Sequence, residues 1–255
     1  MPHSIKRFGW IPDLPDKRDI PYLATRTILR KLPLKIDLRP KCPPVYDQGE
    51  LGSCTANAIG AAFEYELIRQ RQAKDFMPSR LFIYYNERVI EHTVDSDSGA
   101  QIRDGMKSMN KQGVCPEPLW SYEIEKFNVK PANPCYTEAL KHQTLSYHRV
   151  PQTLNQMKGC LMEGYPFVFG FTVYESFESP SVSKTGKLNM PKKDESVVGG
   201  HAVLAVGYDD AAKRFIVRNS WGPSWGIKGY FTIPYDYLLD DNLANDFWTI
   251  RMVEE

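Results

Sequence analysis

Three separated stretches carry side chains that could act together on a carbonyl. The first is Gln48-Gly49-Glu50-Leu51-Gly52-Ser53-Cys54-Thr55-Ala56, with a thiol at the head of a run that reads as a helix. The second is Gly200-His201-Ala202-Val203, and the third is Arg218-Asn219-Ser220-Trp221-Gly222. In chain order they supply a nucleophile, a base and an amide. A thiol attacks a carbonyl only as thiolate and is mostly protonated at neutral pH. A helix N-terminus at Cys54 and an imidazolium from His201 would both lower its pKa. His201 would then return the proton to the leaving amine. The imidazole needs one fixed orientation, which Asn219 can impose by accepting its other N–H, with Trp221 shielding that bond from water. Charge developing on the carbonyl oxygen needs donors already in place. The Cys54 backbone N–H and the Gln48 side chain are the candidates, and losing one such donor costs about 10²–10³ in rate.

These groups must be positioned by distant parts of the chain, and the patterning says which. Ser53 to about Arg71 reads as a helix, with Ala56, Ile59, Ala62, Phe63 and Leu67 at three-to-four spacing and Ser53 as N-cap. Further helices are expected from Ser79 through Tyr85, from Ile102 to Asn110 with a stop at Gly113, and from Leu154 to Met162 with a stop at Gly164. The second half changes character. Residues 167–173, 202–206, 215–217, 230–233 and 247–252 read as strands separated by Gly, Pro and Asp turns. Helices first and strands second argue an α+β fold in two lobes. Residues 1–32, punctuated by Pro12, Pro15 and Pro21, read as an extended arm anchored by Trp10.

The composition excludes several classes. The 255 residues, 42% hydrophobic, suffice for a sizeable core, and a net charge of +1 argues against a nucleic-acid or membrane-surface role. No apolar run reaches the roughly 20 residues needed to span a bilayer. The N-terminus lacks the apolar core of a secretory signal, so a cytoplasmic, reducing location is expected. The five cysteines, Cys42, Cys54, Cys115, Cys135 and Cys160, form no Cys-x-x-Cys and suggest no zinc ribbon. They are expected to be reduced, with a Cys115–Cys135 disulfide as the alternative. No metal or cofactor is implied. Residues 99–113 do not fit a dinucleotide fingerprint.

Taken together, the motifs resemble those of the papain-like cysteine peptidases, and in particular compact prokaryotic and viral members with a short N-terminal extension. His201 follows Cys54 by 147 residues and Asn219 follows it by 165, near that family's spacing. The Asn219-Ser220-Trp221-Gly222-Pro223-Ser224-Trp225-Gly226 block is the most specific part. Weaker similarity runs through Ile36-Asp37-Leu38-Arg39, Ser98-Gly99 and Gly113-Val114, so the likeness covers about residues 33–235. The resemblance implies a helical left lobe (about 44–145) facing an antiparallel β-barrel-like right lobe (about 33–43 plus 146–255), with the cleft between them. It also implies that Ser98 and Gly99 form the wall that pairs with substrate backbone. Gly170 and Gly200 would line a roomy pocket for the residue two before the cleaved bond, and Trp221 would also be among the substrate-binding residues.

Three departures stand out. Leu51 occupies the place of a usual disulfide cysteine, Thr55 replaces an aromatic residue, and 32 residues are too few for the usual helical prodomain. The expected function is endopeptidase chemistry on peptide or protein substrates through an acyl-thioester, by a monomer. Residues 8–22 are expected to lie along the surface and partly obstruct the cleft. The alternatives are a catalytically silent binding protein on the same scaffold and a thiol-dependent acyl transferase. The remaining histidines and the basic loop Lys184, Lys187, Lys192, Lys193 read as ordinary surface features.

Overall fold

The computed structural model describes residues 8–70 and 75–254; Met1–Arg7 and Arg71 lie outside these. The elements in chain order are α1 (Arg26–Leu29), β1 (Lys35–Asp37), α2 (Cys54–Arg69), α3 (Arg80–Glu91), α4 (Ile102–Lys111), α5 (Asn133–Ala139), β2 (Thr144–Arg149), α6 (Leu154–Met162), β3 (Phe167–Tyr174), α7 (Pro180–Thr185), β4 (Val197–Asp209), β5 (Arg214–Arg218), β6 (Tyr230–Pro234), α8 (Tyr235–Leu239) and β7 (Ala244–Val253). Every helix and strand expected from the pattern is present.

α2 is the structural axis. Residues Cys54–Leu67 are all buried, so the helix has no solvent face, as its unbroken run of Ala, Gly and apolar residues requires. Small residues let neighbours approach: a Cβ on Gly60 would sit 3.3 Å from Pro78. Each buried Ile59, Phe63 or Leu67 side chain contributes about 1.5–3 kcal/mol. α3 starts where expected because the Ser79 side chain accepts the Phe82 N–H at 3.1 Å, satisfying an orphan helix donor.

The strands form one antiparallel sheet ordered β2-β7-β3-β4-β5-β6, with β1 added against β4. The barrel-like closure expected of this half does not occur. β2 and β6 are left as the two ends of an open sheet. Strand periodicity divides the core. Val168, Ala202, Leu204 and Val206 face a cluster built on α2, α3 and α4. Phe167, Phe169, Phe171, Val203 and Ala205 face a second cluster with Met157 and Leu161 of α6 and the aromatics of α8. Because both faces are covered, β3 and β4 read as continuous apolar runs.

The N-terminal arm crosses the molecule before joining this sheet. Trp10 forms a parallel bridge with Ala100, Pro21 bridges Arg149, and β1 then pairs with the end of β4.

Candidate active site

Cys54 is the first residue of α2 and is fully buried. Ser53 occupies the N-cap position, but its side chain does not cap the helix. It pairs instead with the Tyr122 hydroxyl at 2.5 Å and accepts from Asn57 Nδ2 at 3.0 Å. The Cys54 thiol accepts the Ala202 backbone N–H at 3.3 Å. Ala202 follows His201 on β4, so the sulfur lies against the strand that carries the imidazole.

The His201 ring is also fully buried. Its Nε2 lies 2.8 Å from Asn219 Oδ1, which additionally accepts the Ser220 N–H at 2.9 Å. An oxygen accepting from both directions makes Nε2 the protonated nitrogen. Nδ1 is left without a hydrogen-bond partner. Trp221 lies 5.1 Å from the imidazole, centroid to centroid, and Phe171 and Phe177 complete an aromatic cage.

Gln48 is fully buried, and both ends of its amide are fixed. Oε1 accepts the Ser220 hydroxyl at 2.6 Å and Nε2 donates to Leu51 O at 2.9 Å. Tyr122 donates to the Gln48 carbonyl at 2.9 Å, so one tyrosine braces both Gln48 and Ser53.

The segment from Phe8 to Asp13 runs through this site. Trp10 N donates to Gly200 O at 2.9 Å, Ile11 N to Ala100 O at 3.0 Å, and Ala100 N to Gly9 O at 2.8 Å. The Trp10 indole fills the space between Gly170 and Gly200, where added Cβ atoms would come within 1.9 and 2.8 Å of its ring. Gly9 passes so close to Gly52 that no side chain fits, since a Cβ would stand 1.7 Å from the Gly52 carbonyl oxygen. Phe8 sits edge-on to His201 at 5.9 Å.

This covering sets the electrostatics. Burial pushes the Cys54 thiol up to about 12, although the Ala202 and Gly9 backbone N–H groups pull it down. Burial pushes His201 down to about 4, against the Asn219 bond. Thiol and imidazole are therefore both neutral in this state. The helix N-terminus was expected to lower the thiol pKa. Its effect is worth about 0.3–2 kcal/mol, and full burial outweighs it.

The sequence-derived candidates Cys54, Gln48, His201, Asn219 and Trp221 thus converge at one place. Of the expected wall, Gly99 lies against Gly9, and the neighbouring Ala100 makes the backbone hydrogen bonds to the arm. The Ser98 hydroxyl donates to Gly99 O at 3.0 Å. Ser220, Tyr122, Ala202 and Ala100 also belong to the site. Ser220 was within reach of sequence reasoning as the neighbour of Asn219, whereas Ala202 and Ala100 act through backbone groups and leave no side-chain signal. All five cysteines are free thiols, Cys115 and Cys135 included. No group of His, Cys, Asp or Glu suited to a metal occurs among the described residues, and no described helix is long and apolar enough to cross a membrane.

A buried thiol at a helix start, an amide-oriented imidazole and a braced glutamine, set where the helices meet an antiparallel sheet, define a thiol-dependent hydrolase. Residues 32–243 match the Papain family cysteine protease domain, and the chain belongs to that family. It is similar to an uncharacterized peptidase C1-like protein of Acanthamoeba polyphaga mimivirus, with 46% identity over 98% of this chain and 88% of that one. It is equally similar to the crystal structure of Xylellain, a cysteine protease from Xylella fastidiosa, at 46% identity, with a TM-score of 0.91 over 97% of this chain and 96% of that one. A Cathepsin B-like protein, CP3 of Giardia intestinalis, is 30% identical over 76% of this chain and 65% of its own length.

Proposed function

We propose that this cysteine protease is an endopeptidase whose N-terminal arm restrains it by occupying the cleft. The proposed residue roles are these. With the arm displaced, Cys54 transfers its proton to His201 Nδ1 and the thiolate attacks the scissile carbonyl carbon. Gln48 Nε2 and the Cys54 backbone N–H stabilise the oxyanion. The imidazolium protonates the leaving amine, the C–N bond breaks, and an acyl-thioester remains. Water then loses a proton to the imidazole and attacks the thioester, which releases the carboxylate product and restores the thiol. Asn219 keeps Nε2 protonated and Nδ1 free through each step. Substrate backbone would use the Ala100 and Gly200 groups that the arm now occupies, with a side chain in the space held by Trp10.

The observation that carries this reading is the unpartnered Nδ1 of His201, with Nε2 committed to Asn219 at 2.8 Å and the next residue, Ala202, donating its N–H to the Cys54 sulfur at 3.3 Å. The restraint rests on three backbone hydrogen bonds to the cleft walls, in which Trp10 and Ile11 donate and the Gly9 carbonyl accepts. A peptide-turnover assay on the full chain, on Cys54→Ala and on a chain lacking residues 1–30 tests both parts. Cys54→Ala should abolish hydrolysis and the deletion should raise it. Full activity in Cys54→Ala would refute the nucleophile, and unchanged turnover in a folded deletion variant would refute the restraint.

A further inference from the structure

The inner end of the arm carries a buried acid that the chemistry above does not use. The Asp13 side chain is 0% exposed. Its Oδ1 accepts the Arg103 N–H at 3.0 Å and its Oδ2 accepts the Trp248 indole N–H at 2.8 Å. Its own backbone N–H donates at 2.8 Å to Oδ2 of Asp246, which also accepts Trp10 Nε1 at 3.1 Å. Asp246 is itself buried, on β7, with a left-handed backbone (φ 60°) that is rare for a residue other than glycine.

Among the described residues, the charges here do not balance. Three carboxylates, Asp13, Asp19 and Asp246, meet two guanidiniums. Arg103 grips Asp19 at 2.9 and 2.7 Å, and Arg149 reaches Asp19 at 3.0 Å and Asp246 at 3.1 Å. Asp13 has only the distant edges of both, at 4.0 and 3.9 Å. The other charged groups nearby do not correct this. Asp16 is taken by Arg18 at 2.7 Å, and Lys107 lies 3.5 Å from Asp104. Glu91 of α3, which accepts the Gln101 N–H at 2.7 Å, adds a further acid rather than a cation. Tyr147 of β2 packs its ring on Trp248, 5.7 Å centroid to centroid. A fully ionised cluster would bury one unmatched negative charge on Asp13, which a proton removes.

We propose that Asp13 and Asp246 form a proton-operated latch that holds the arm in the cleft when protonated and frees it as pH rises toward neutrality. This rests on the reading that the arm restrains Cys54. Burial, with the Asp246 charge, pushes the Asp13 carboxyl up to about 7 while the arm is seated, from an ordinary value of 3.8 in open solvent. Burial raises Asp246 as well, and takes Glu91 to about 7. The seated arm therefore binds the proton more tightly than the free arm. Docking is at full strength below about pH 4 and fades as pH rises through about 7. Between pH 5 and 8 the docking constant falls by roughly one to two orders of magnitude.

The test uses the full chain. In a Cys54→Ala background, which prevents the arm from being cut, hydrogen exchange is followed at the Trp10 and Ile11 amides and corrected for the intrinsic pH dependence. Protection should fall at least tenfold between pH 6 and 8. Asp246→Asn keeps an acceptor for Trp10 and Asp13 but removes the charge that adds to the burial of Asp13, and should make that dependence shallower. Asp13→Asn serves if the first variant does not fold. In parallel, wild-type peptide turnover is divided by that of Trp10→Ala at each pH, and the ratio should climb with pH. Protection that stays constant from pH 5 to 8, or a constant ratio well below one, overturns the latch while leaving the restraint intact. Equal turnover by wild type and Trp10→Ala at every pH overturns the restraint itself.

Discussion

The Ser220 hydroxyl donates to Oε1 of Gln48 at 2.6 Å, and both residues are buried. The bond fixes which end of the amide is oxygen and turns Nε2 toward Leu51 O and the Cys54 end of the segment. Gln48→Ala should lower kcat/KM by about 10²–10³, the usual loss for one oxyanion donor. Ser220→Ala leaves the donor present but less well held, so the fall should be smaller, about tenfold, and concentrated in kcat. Steady-state kinetics on the two variants, in a chain with the arm opened, checks the order. Equal losses would mean that Ser220 does more than orient Gln48.

Trp10→Ala should activate the full chain. The indole is 8% exposed and wedged between two glycines. Burying a side chain of this size is worth about 2–3 kcal/mol, so its loss weakens docking by roughly 30–150-fold. Turnover of a short peptide at pH 6 should rise by up to that factor. A decrease would mean that Trp10 supports the site more than it blocks it.

Cys54 should resist alkylation while the arm is seated. A thiol pushed up to about 12 is protonated throughout the range from pH 5 to 8 and offers almost no thiolate. Iodoacetamide labelling of the full chain near pH 6, read by peptide mass mapping, should be slow at Cys54 and accelerate at least tenfold in Trp10→Ala. Rapid labelling of Cys54 in the intact chain would show that the closed state already holds an ion pair.

Glu87 on α3 predicts an alkaline weakness in the fold. It is fully buried with only the Thr55 hydroxyl approaching its carboxyl among the described residues, and burial raises its pKa well above the ordinary carboxylate value. The folded state holds this proton more tightly than the unfolded chain does. Its stabilising contribution is complete below the unfolded value and is lost as pH rises through the folded one. Glu87→Gln should therefore keep the wild-type melting temperature in mild acid and lose less of it toward pH 9. Parallel melting curves for both proteins in alkali would refute this.

The elements that hold the site were legible because each is long and strongly periodic. α2, α3, α4 and α6, and the central strands, carry enough apolar residues to announce their period. β2, with the sequence Thr-Leu-Ser-Tyr-His-Arg, is an edge strand with mostly half-exposed positions and gives no clean alternation. α7 had a readable start, since the Ser179 side chain accepts the Val182 N–H and Pro180 is its first residue, but six residues are too few to show a period. Sheet closure cannot be read from strands alone, because it depends on whether the end strands meet. The arm was legible as extended and anchored by Trp10. Its route was not, because the bond that fixes it joins Trp10 to a residue 236 positions away.

One strand determines the timing of all of this. Gly200, His201 and Ala202 are consecutive on β4, yet the first receives the arm, the second carries the base and the third touches the sulfur. Their pairing opposite Thr172, Phe171 and Gly170 fixes which of them points which way. A slip of one residue would exchange the two faces, turning the imidazole out of its aromatic cage and pointing Ala202 into it. The ladder between β3 and β4 thus acts as a gauge block, setting the tolerance of a chemical step through backbone bonds that never touch a reacting atom.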